Sequence, residues 1–119
     1  MRQAPSSILC VDDSEDILLI CRTMLEASGY QVLTASSGQR ALELLQRHTV
    51  DAAVIDNIMP EMSGLELACA IKRTGAGIPV IMFSSTGQPD ESFPFVDVYV
   101  SKGQGPIALR NLLGTLLRK

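Results

Sequence analysis

The spacing of apolar positions switches repeatedly between two periods along the chain. Ile8-Leu9-Cys10-Val11 is a short continuous apolar run, and Ile17, Ile20, Cys21, Met24 and Leu25 then recur at helical spacing as far as Gly29. Short apolar runs read as buried strands, and recurrence at i, i+3 and i+4 reads as an amphipathic helix. Ser14 suits the N-cap of that first helix, with Glu15 and Asp16 favoured in its first turn. Residues 31–35 give a second strand, and Ser37 opens a helix with Ala41, Leu44, Leu45 and His48 on one face. Residues 51–55 give a third strand. Residues 64–72 read as a helix with Leu65, Ala68, Cys69 and Lys72 spaced helically, ended by Gly75-Ala76-Gly77. Residues 79–83 and 97–100 are the fourth and fifth strands. Pro106 suits the first turn of a last helix carrying Leu109, Leu112, Leu113, Leu116 and Leu117 on one stripe, with Gly114 inside it. Strand and helix in alternation imply an α/β fold with a parallel sheet and right-handed crossovers.

A chain of 119 residues has room for one domain over residues 1–119, with 1–6 as a tail. Asp and Glu number 13 against 10 Lys and Arg, a net charge of −3, so no global positive field attracts nucleic acid or an acidic membrane. No apolar stretch approaches the roughly 20 residues of a membrane span, and residues 1–7 lack the order of a signal peptide. A cytoplasmic protein is expected. Cys10, Cys21 and Cys69 sit at apolar positions without metal-ligand spacing and read as small core residues.

Polar residues collect where the apolar runs end. Asp12-Asp13 follow the first strand, Asp56 the third, Ser84-Ser85 the fourth and Ser101-Lys102 the fifth. Open α/β sheets bind ligands at the carboxyl ends of their strands. Each residue alone has an ordinary reading: Asp12 and Asp13 as acids before a helix, Ser84-Ser85 as turn residues, Tyr99 as core, Lys102 as a solvated side chain. Their joint occurrence at one edge points to a site. Clustered carboxylates repel unless a cation lies among them, and hard oxygen ligands favour Mg²⁺. Such a set suits transfer of a phosphoryl group onto a carboxylate, with Lys102 and Ser84 stabilising phosphoryl oxygens electrostatically.

The stretch Asp56-Asn57-Ile58-Met59-Pro60-Glu61-Met62-Ser63-Gly64, with Asp12-Asp13 before it and Ser84 and Lys102 after it, resembles the response-regulator receiver family. These are the CheY-like phosphorylatable domains of two-component signalling. The resemblance covers nearly the whole chain. It implies a flavodoxin-like, doubly wound sheet of five parallel strands in the order 2-1-3-4-5. It also implies that Asp56 is the phosphoacceptor, that Asp13 ligates Mg²⁺ directly and Asp12 through water, and that the backbone carbonyl of Ile58 completes the protein's ligands. Ser84 resembles the switch hydroxyl, Tyr99 the aromatic switch residue and Lys102 the phosphate-sensing lysine. The implied partners are a sensor histidine kinase or histidine phosphotransfer protein and an output protein or domain. The implied role is regulatory rather than enzymatic, with no direct contact to nucleic acid or membrane.

Several positions depart from the family pattern. Ser84 stands where threonine is commonest, Ser85 where a very small residue is usual, and Gly103 where proline usually follows the lysine, so a trans and more mobile Lys102 loop is expected. Ser84 and Lys102 are 18 positions apart, short by about one helical turn. Pro89 and Pro94 flank residues 90–93, so the family's fourth helix should be short or absent, and signalling is expected through ordering of a loop over residues 86–96. Phe93 and Phe95 either close over the core or stay exposed there. Ile58 and Thr86 flank the approach of a hydrolytic water by resemblance, and neither orients it. A degenerate receiver acting as a constitutive interaction module is the alternative function. A phosphohydrolase of the haloacid-dehalogenase type is disfavoured, because it wants an aspartate where Ile58 stands.

Overall fold

The computed structural model describes residues 5–85 and 94–117. Five strands, β1 (Ser7–Val11), β2 (Gln31–Ala35), β3 (Ala52–Ile55), β4 (Val80–Ser84) and β5 (Val98–Ser101), form one parallel sheet in the order β2-β1-β3-β4-β5. The helices are α1 (Glu15–Ala27), α2 (Gly38–Arg47), α3 (Gly64–Arg73) and α4 (Pro106–Leu116). The strands are apolar at successive positions because both faces of the sheet are covered. Leu9, Val11, Ala53, Ile55, Val80 and Met82 pack on one face with Ala41 of α2 and Leu67, Ala68 and Ile71 of α3. Ile8, Cys10, Val54, Ile81 and Phe83 pack on the other with Leu18, Cys21 and Leu25 of α1 and Leu109 and Leu113 of α4. A fully buried leucine such as Leu25 or Leu109 contributes roughly 1.5–3 kcal/mol of hydrophobic stabilisation.

Local chemistry sets the element ends. Ser14 caps α1 by accepting from Ile17 N, and Ser37 caps α2 by accepting from Arg40 N. Ser63 and Glu66 form a reciprocal capping box on α3, which the spacing Ser63-x-x-Glu66 carries in the sequence. Helix α1 stops at Gly29, which takes a φ of 97° while its N–H donates to Glu26 O and Tyr30 N donates to Leu25 O. That double bond is the Schellman closure that glycine permits. At the opposite end of the sheet from the strand-end polar residues, two aspartates hold leading strand amides. Ser7 N donates to Asp51 Oδ2 at 2.7 Å, and Val80 N donates to Asp97 Oδ2 at 2.7 Å. Lys72 ties α3 to this end through Asp97 Oδ2 and the Ile78 carbonyl.

Some expected positions turn over. On α1 the buried stripe is Leu18, Cys21 and Leu25, whereas Ile20 is exposed. His48 is the exposed C-cap of α2 rather than part of its packed face. On α4 Leu116 lies at the surface while Leu109 and Leu113 are fully buried. Among the described residues no helix lies between β4 and β5; residues 86–93, with Thr86, Pro89 and Phe93, lie outside them, as does most of the loop expected over 86–96. Pro94 and Phe95 form a turn, and Phe95 closes onto the core with Val96 and Tyr99. The Lys102–Gly103 peptide is trans. Among the described residues no helix is long and apolar enough to cross a membrane.

Gly114 has no steric reason to be glycine, since a Cβ added there meets nothing within 4 Å. Gly114→Ala should therefore stabilise the fold by about 0.5–1 kcal/mol through helix propensity and a less flexible unfolded chain. Urea denaturation checks it, and a lowered midpoint would show that α4 needs the bare position.

Candidate functional site

The register of the sheet brings the acids together. Val11 lies beside Ile55 across the β1–β3 ladder, so the next residues, Asp12 and Asp56, leave the sheet side by side. Their backbones are fixed by neighbours: Asp56 N donates to Val11 O at 2.9 Å and Asp12 N to Ala35 O at 3.2 Å. Asp12 and Asp56 are buried, Asp13 is exposed, and one carboxylate oxygen from each of the three lies within 4.8 Å of the others. Lys102 enters from the end of β5, and its Nζ donates to Asp12 Oδ2 at 2.6 Å and to Asp56 Oδ1 at 3.3 Å. The other oxygen of Asp12 accepts from Ser14 N at 2.9 Å, so Asp12 also anchors the start of α1.

The site is electrostatically loaded. Cys10, Ile17, Leu18, Val54 and Phe83 line a small cavity together with Asp12 and Asp56, so apolar groups stand directly beside these two carboxylates. Burial first and the charge of Asp12 second push the Asp56 carboxyl above its ordinary range; Lys102 opposes this without cancelling it, and Asp13 adds to the rise. For Lys102 burial favours the neutral amine, but the hydrogen bonds and charges of Asp12 and then Asp56 outweigh it, and the ammonium is held more firmly than an ordinary lysine's. The Lys102 ammonium thus engages two of three clustered carboxylates. A divalent cation is the chemically matched complement of the remaining charge, and an all-oxygen donor set suits Mg²⁺. The thiols nearby do not compete as nucleophiles. Burial pushes Cys21 up to about 11 and Cys10 higher still, so both stay protonated and behave as core residues.

The loop after β3 is shaped by backbone chemistry. Gly64 N donates to Asn57 O at 2.8 Å, and a Cβ on Gly64 would stand 2.2 Å from the Asp56 carbonyl oxygen. Only glycine lets the start of α3 close against the backbone of Asp56. Met62 N donates to Pro60 O at 2.7 Å across Glu61, whose φ is 69°. This is the rare, strained form of γ-turn. The strain at Glu61 is not legible in the sequence, because a glutamate carries no signal for positive φ.

The other expected residues fall around this centre. Ser84 is buried at the end of β4, alongside Ser101 in the β4–β5 register. Ile58 follows Asp56 by two positions, and the residue is 62% exposed. Tyr99 is half-buried in β5, paired with Met82 and packed against the core on the α2–α3 face. The sequence reading named Ser14 as a helix cap and Ser101 at a strand end, but not the contacts by which the geometry brings them in. Ser14 donates its N–H to Asp12, and the Ser101 hydroxyl accepts from Gly103 N at 3.1 Å. The pattern Ser101-x-Gly103 directly before a helical turn was the available signal for the second.

Comparison with known proteins agrees with this geometry. The family model of the response regulator receiver domain matches residues 8–112. The response regulator SaeR of Staphylococcus aureus (strain USA300) is 34% identical over 116 residues, covering 94% of this chain and 50% of that protein. The chain thus spans about half the length of the curated relatives it matches. Among solved structures, the response regulator TrrA of Thermotoga maritima, in complex with Mg(2+)-BeF, aligns with a TM-score of 0.87 at 30% identity over 94% of this chain and 99% of that one. The chemotaxis response regulator CheY4 of Vibrio cholerae aligns with a TM-score of 0.85 at 27% identity, over 95% and 99%. With the acid cluster and Lys102 at the ends of a sheet ordered 2-1-3-4-5, this chain belongs to the response regulator receiver domain family of two-component signalling.

Proposed function

We propose that residues 1–119 form one receiver domain, with 1–6 as a tail, that takes a phosphoryl group on Asp56 and changes its partner contacts in response. The observation that carries this reading is the convergence of Asp12, Asp13, Asp56 and Lys102, with the Asp56 carboxylate under electrostatic pressure beside apolar groups. The donor is a phosphohistidine on a sensor histidine kinase or a phosphotransfer protein, met in the cytoplasm. Asp56 supplies a carboxylate oxygen that attacks phosphorus; the donor's P–N bond breaks as the new P–O bond forms. Lys102 is positioned to leave its contact with Asp56 Oδ1 and hydrogen-bond a phosphoryl oxygen. Ser84, from the neighbouring strand end, donates to another. Tyr99, against the core, is the route by which a change at β4–β5 reaches the outer surface.

Asp13, Asp56 and the Ile58 carbonyl would hold Mg²⁺ directly, with Asp12 acting through water because its own oxygens already serve Ser14 N and Lys102. When bound, the ion neutralises charge on the carboxylates and on the phosphoryl oxygens. Calorimetric titration of the metal-free protein should give saturable binding in roughly the millimolar range, weakened about tenfold or more by Asp13→Asn and only a few-fold by Asp12→Asn. No saturable binding to the wild type would favour the degenerate, constitutive module instead.

Intact-mass analysis after acetyl phosphate and Mg²⁺ tests the function itself: one added phosphoryl group is expected. The phosphorylated state should last many minutes or longer, because Ile58 offers no hydrogen bond and Thr86 no carboxylate or amide to hold a water in line. A decay over seconds in the isolated domain would contradict that. The reading leaves this chain a regulatory switch rather than an enzyme, contacting neither nucleic acid nor membrane itself.

A further inference from the structure

Lys102 reaches its two carboxylates from an unusual support. It opens a 3-10 turn, Lys102–Gln104, in which the residues on either side of Gln104 are Gly103 and Gly105, the latter at a φ of 84°. A lysine followed by two glycines in three positions has little backbone restraint of its own. Two hydrogen bonds restrain it: Gly105 N donates to Lys102 O at 3.0 Å, and Gly103 N donates to the Ser101 hydroxyl at 3.1 Å. A Cβ on Gly103 would stand 3.3 Å from that same Oγ, so the hydroxyl is also seated against the glycine's Cα. Ser101 is the last residue of β5, in register with Ser84, and its own backbone is held by the sheet.

We infer that Ser101 is a positioning residue for phosphoryl transfer: its hydroxyl caps the turn that aims the Lys102 ammonium at Asp12 and Asp56. The inference rests on the receiver reading and names a residue that acts through Lys102, not on the phosphoryl group. Lys102 Nζ sits at 2.6 Å from Asp12 and 3.3 Å from Asp56, and a fixed turn limits the range over which the base of that flexible four-carbon side chain can move. Ser101 and Gly103 are both exposed, so without the cap water takes up the Gly103 N–H, the two glycines relax, and Lys102 spends more of its time away from the site. Proline at 103 would remove the donor altogether, so this half of the restraint needs both the Ser101 hydroxyl and a residue at 103 that keeps its N–H.

The test is a double-mutant cycle on the full chain, read by the rate of phosphorylation from acetyl phosphate at saturating Mg²⁺ and by calorimetric Mg²⁺ affinity. Ser101→Ala should slow phosphorylation about fivefold, the size of one neutral hydrogen bond, while Mg²⁺ affinity stays within about twofold. Ser101→Thr, which keeps the hydroxyl, should restore the rate. Lys102→Ala should slow it further, and adding Ser101→Ala to Lys102→Ala should cost nothing more. Ser101→Ala with a wild-type rate, failure of Ser101→Thr to rescue, or the same slowing in both backgrounds would overturn the inference. A wild-type protein that takes no phosphoryl group would instead overturn the receiver reading, so the two failures are distinct.

Discussion

Asp56→Asn should abolish phosphorylation and, at neutral pH, make the metal-free fold more stable. The first effect follows from chemistry: the amide is nearly isosteric but has no anionic oxygen to attack phosphorus, so acetyl phosphate should add no mass. The second follows from burial and from Asp12, which together raise the Asp56 carboxyl in the native state. A carboxyl raised on folding binds its proton more tightly in the native than in the unfolded chain. Its ionisation therefore costs stability as pH rises from the ordinary value of 3.8 through the raised native one, and the full cost is present at neutral pH. Removing the charge should therefore raise the unfolding midpoint of the metal-free protein at neutral pH. The gain should fade towards acid pH, where the wild-type carboxyl is protonated, and Mg²⁺ should stabilise the wild type but hardly the variant. Thermal unfolding across pH, with and without Mg²⁺, reads all of this. Phosphoryl uptake in the variant would dismiss Asp56 as acceptor, and an unchanged midpoint at neutral pH would mean that Lys102 already offsets its charge.

Much of this arrangement was legible in the chain because it rests on period and position. Buried parallel strands must be apolar at every residue, so runs such as 8–11 and 79–83 declare themselves, and whatever polar residue ends a run must stand at the sheet edge. Asp12, Asp56 and Ser84 stand out that way, and Lys102 as the residue directly after Ser101. The strand order was not derivable from periodicity; it came with the resemblance, and the pairing of β1 with both β2 and β3 agrees with it. The errors lie where helical spacing admits two stripes. On α1 Ile17 and Met24 pack against the core beside the buried Leu18, Cys21 and Leu25, and of the expected set only Ile20 turns outward, while Leu18 takes a core place that the spacing did not single out. Similarly, no pattern says that Asp12 is doubly engaged by Ser14 N and Lys102, because those contacts depend on elements that meet only in the fold. The backbone devices, Glu61 at positive φ and the Ser101 cap, are set by loop geometry, which leaves a trace in residue type only when glycine or a capping residue is required.

Gly64 is the case where residue type carries that trace most strongly, and Gly64→Ala should be among the most damaging single-methyl changes available. The added carbon would stand 2.2 Å from the Asp56 carbonyl oxygen and 2.8 Å from the Asn57 Cα, both backbone atoms that cannot rotate aside. The start of α3 must then back away, which breaks the 2.8 Å bond from Gly64 N to Asn57 O and loosens the capping box at Ser63 and Glu66. Overpacking of this kind costs about 2–3 kcal/mol, more than the fraction of a kcal/mol that alanine gains in the first turn of a helix. The same substitution at Gly114, where nothing crowds the new methyl, should have the opposite sign. Function should suffer beyond stability. The backbone that yields is that of Asp56 itself, and a displacement of about 1 Å at a reacting group can cost on the order of a hundredfold in rate. Urea denaturation beside phosphorylation by acetyl phosphate, at a temperature where the variant is still folded, separates the two losses. A folded Gly64→Ala protein phosphorylated at the wild-type rate would mean that the loop gives way without moving Asp56, and that the close approach serves packing alone.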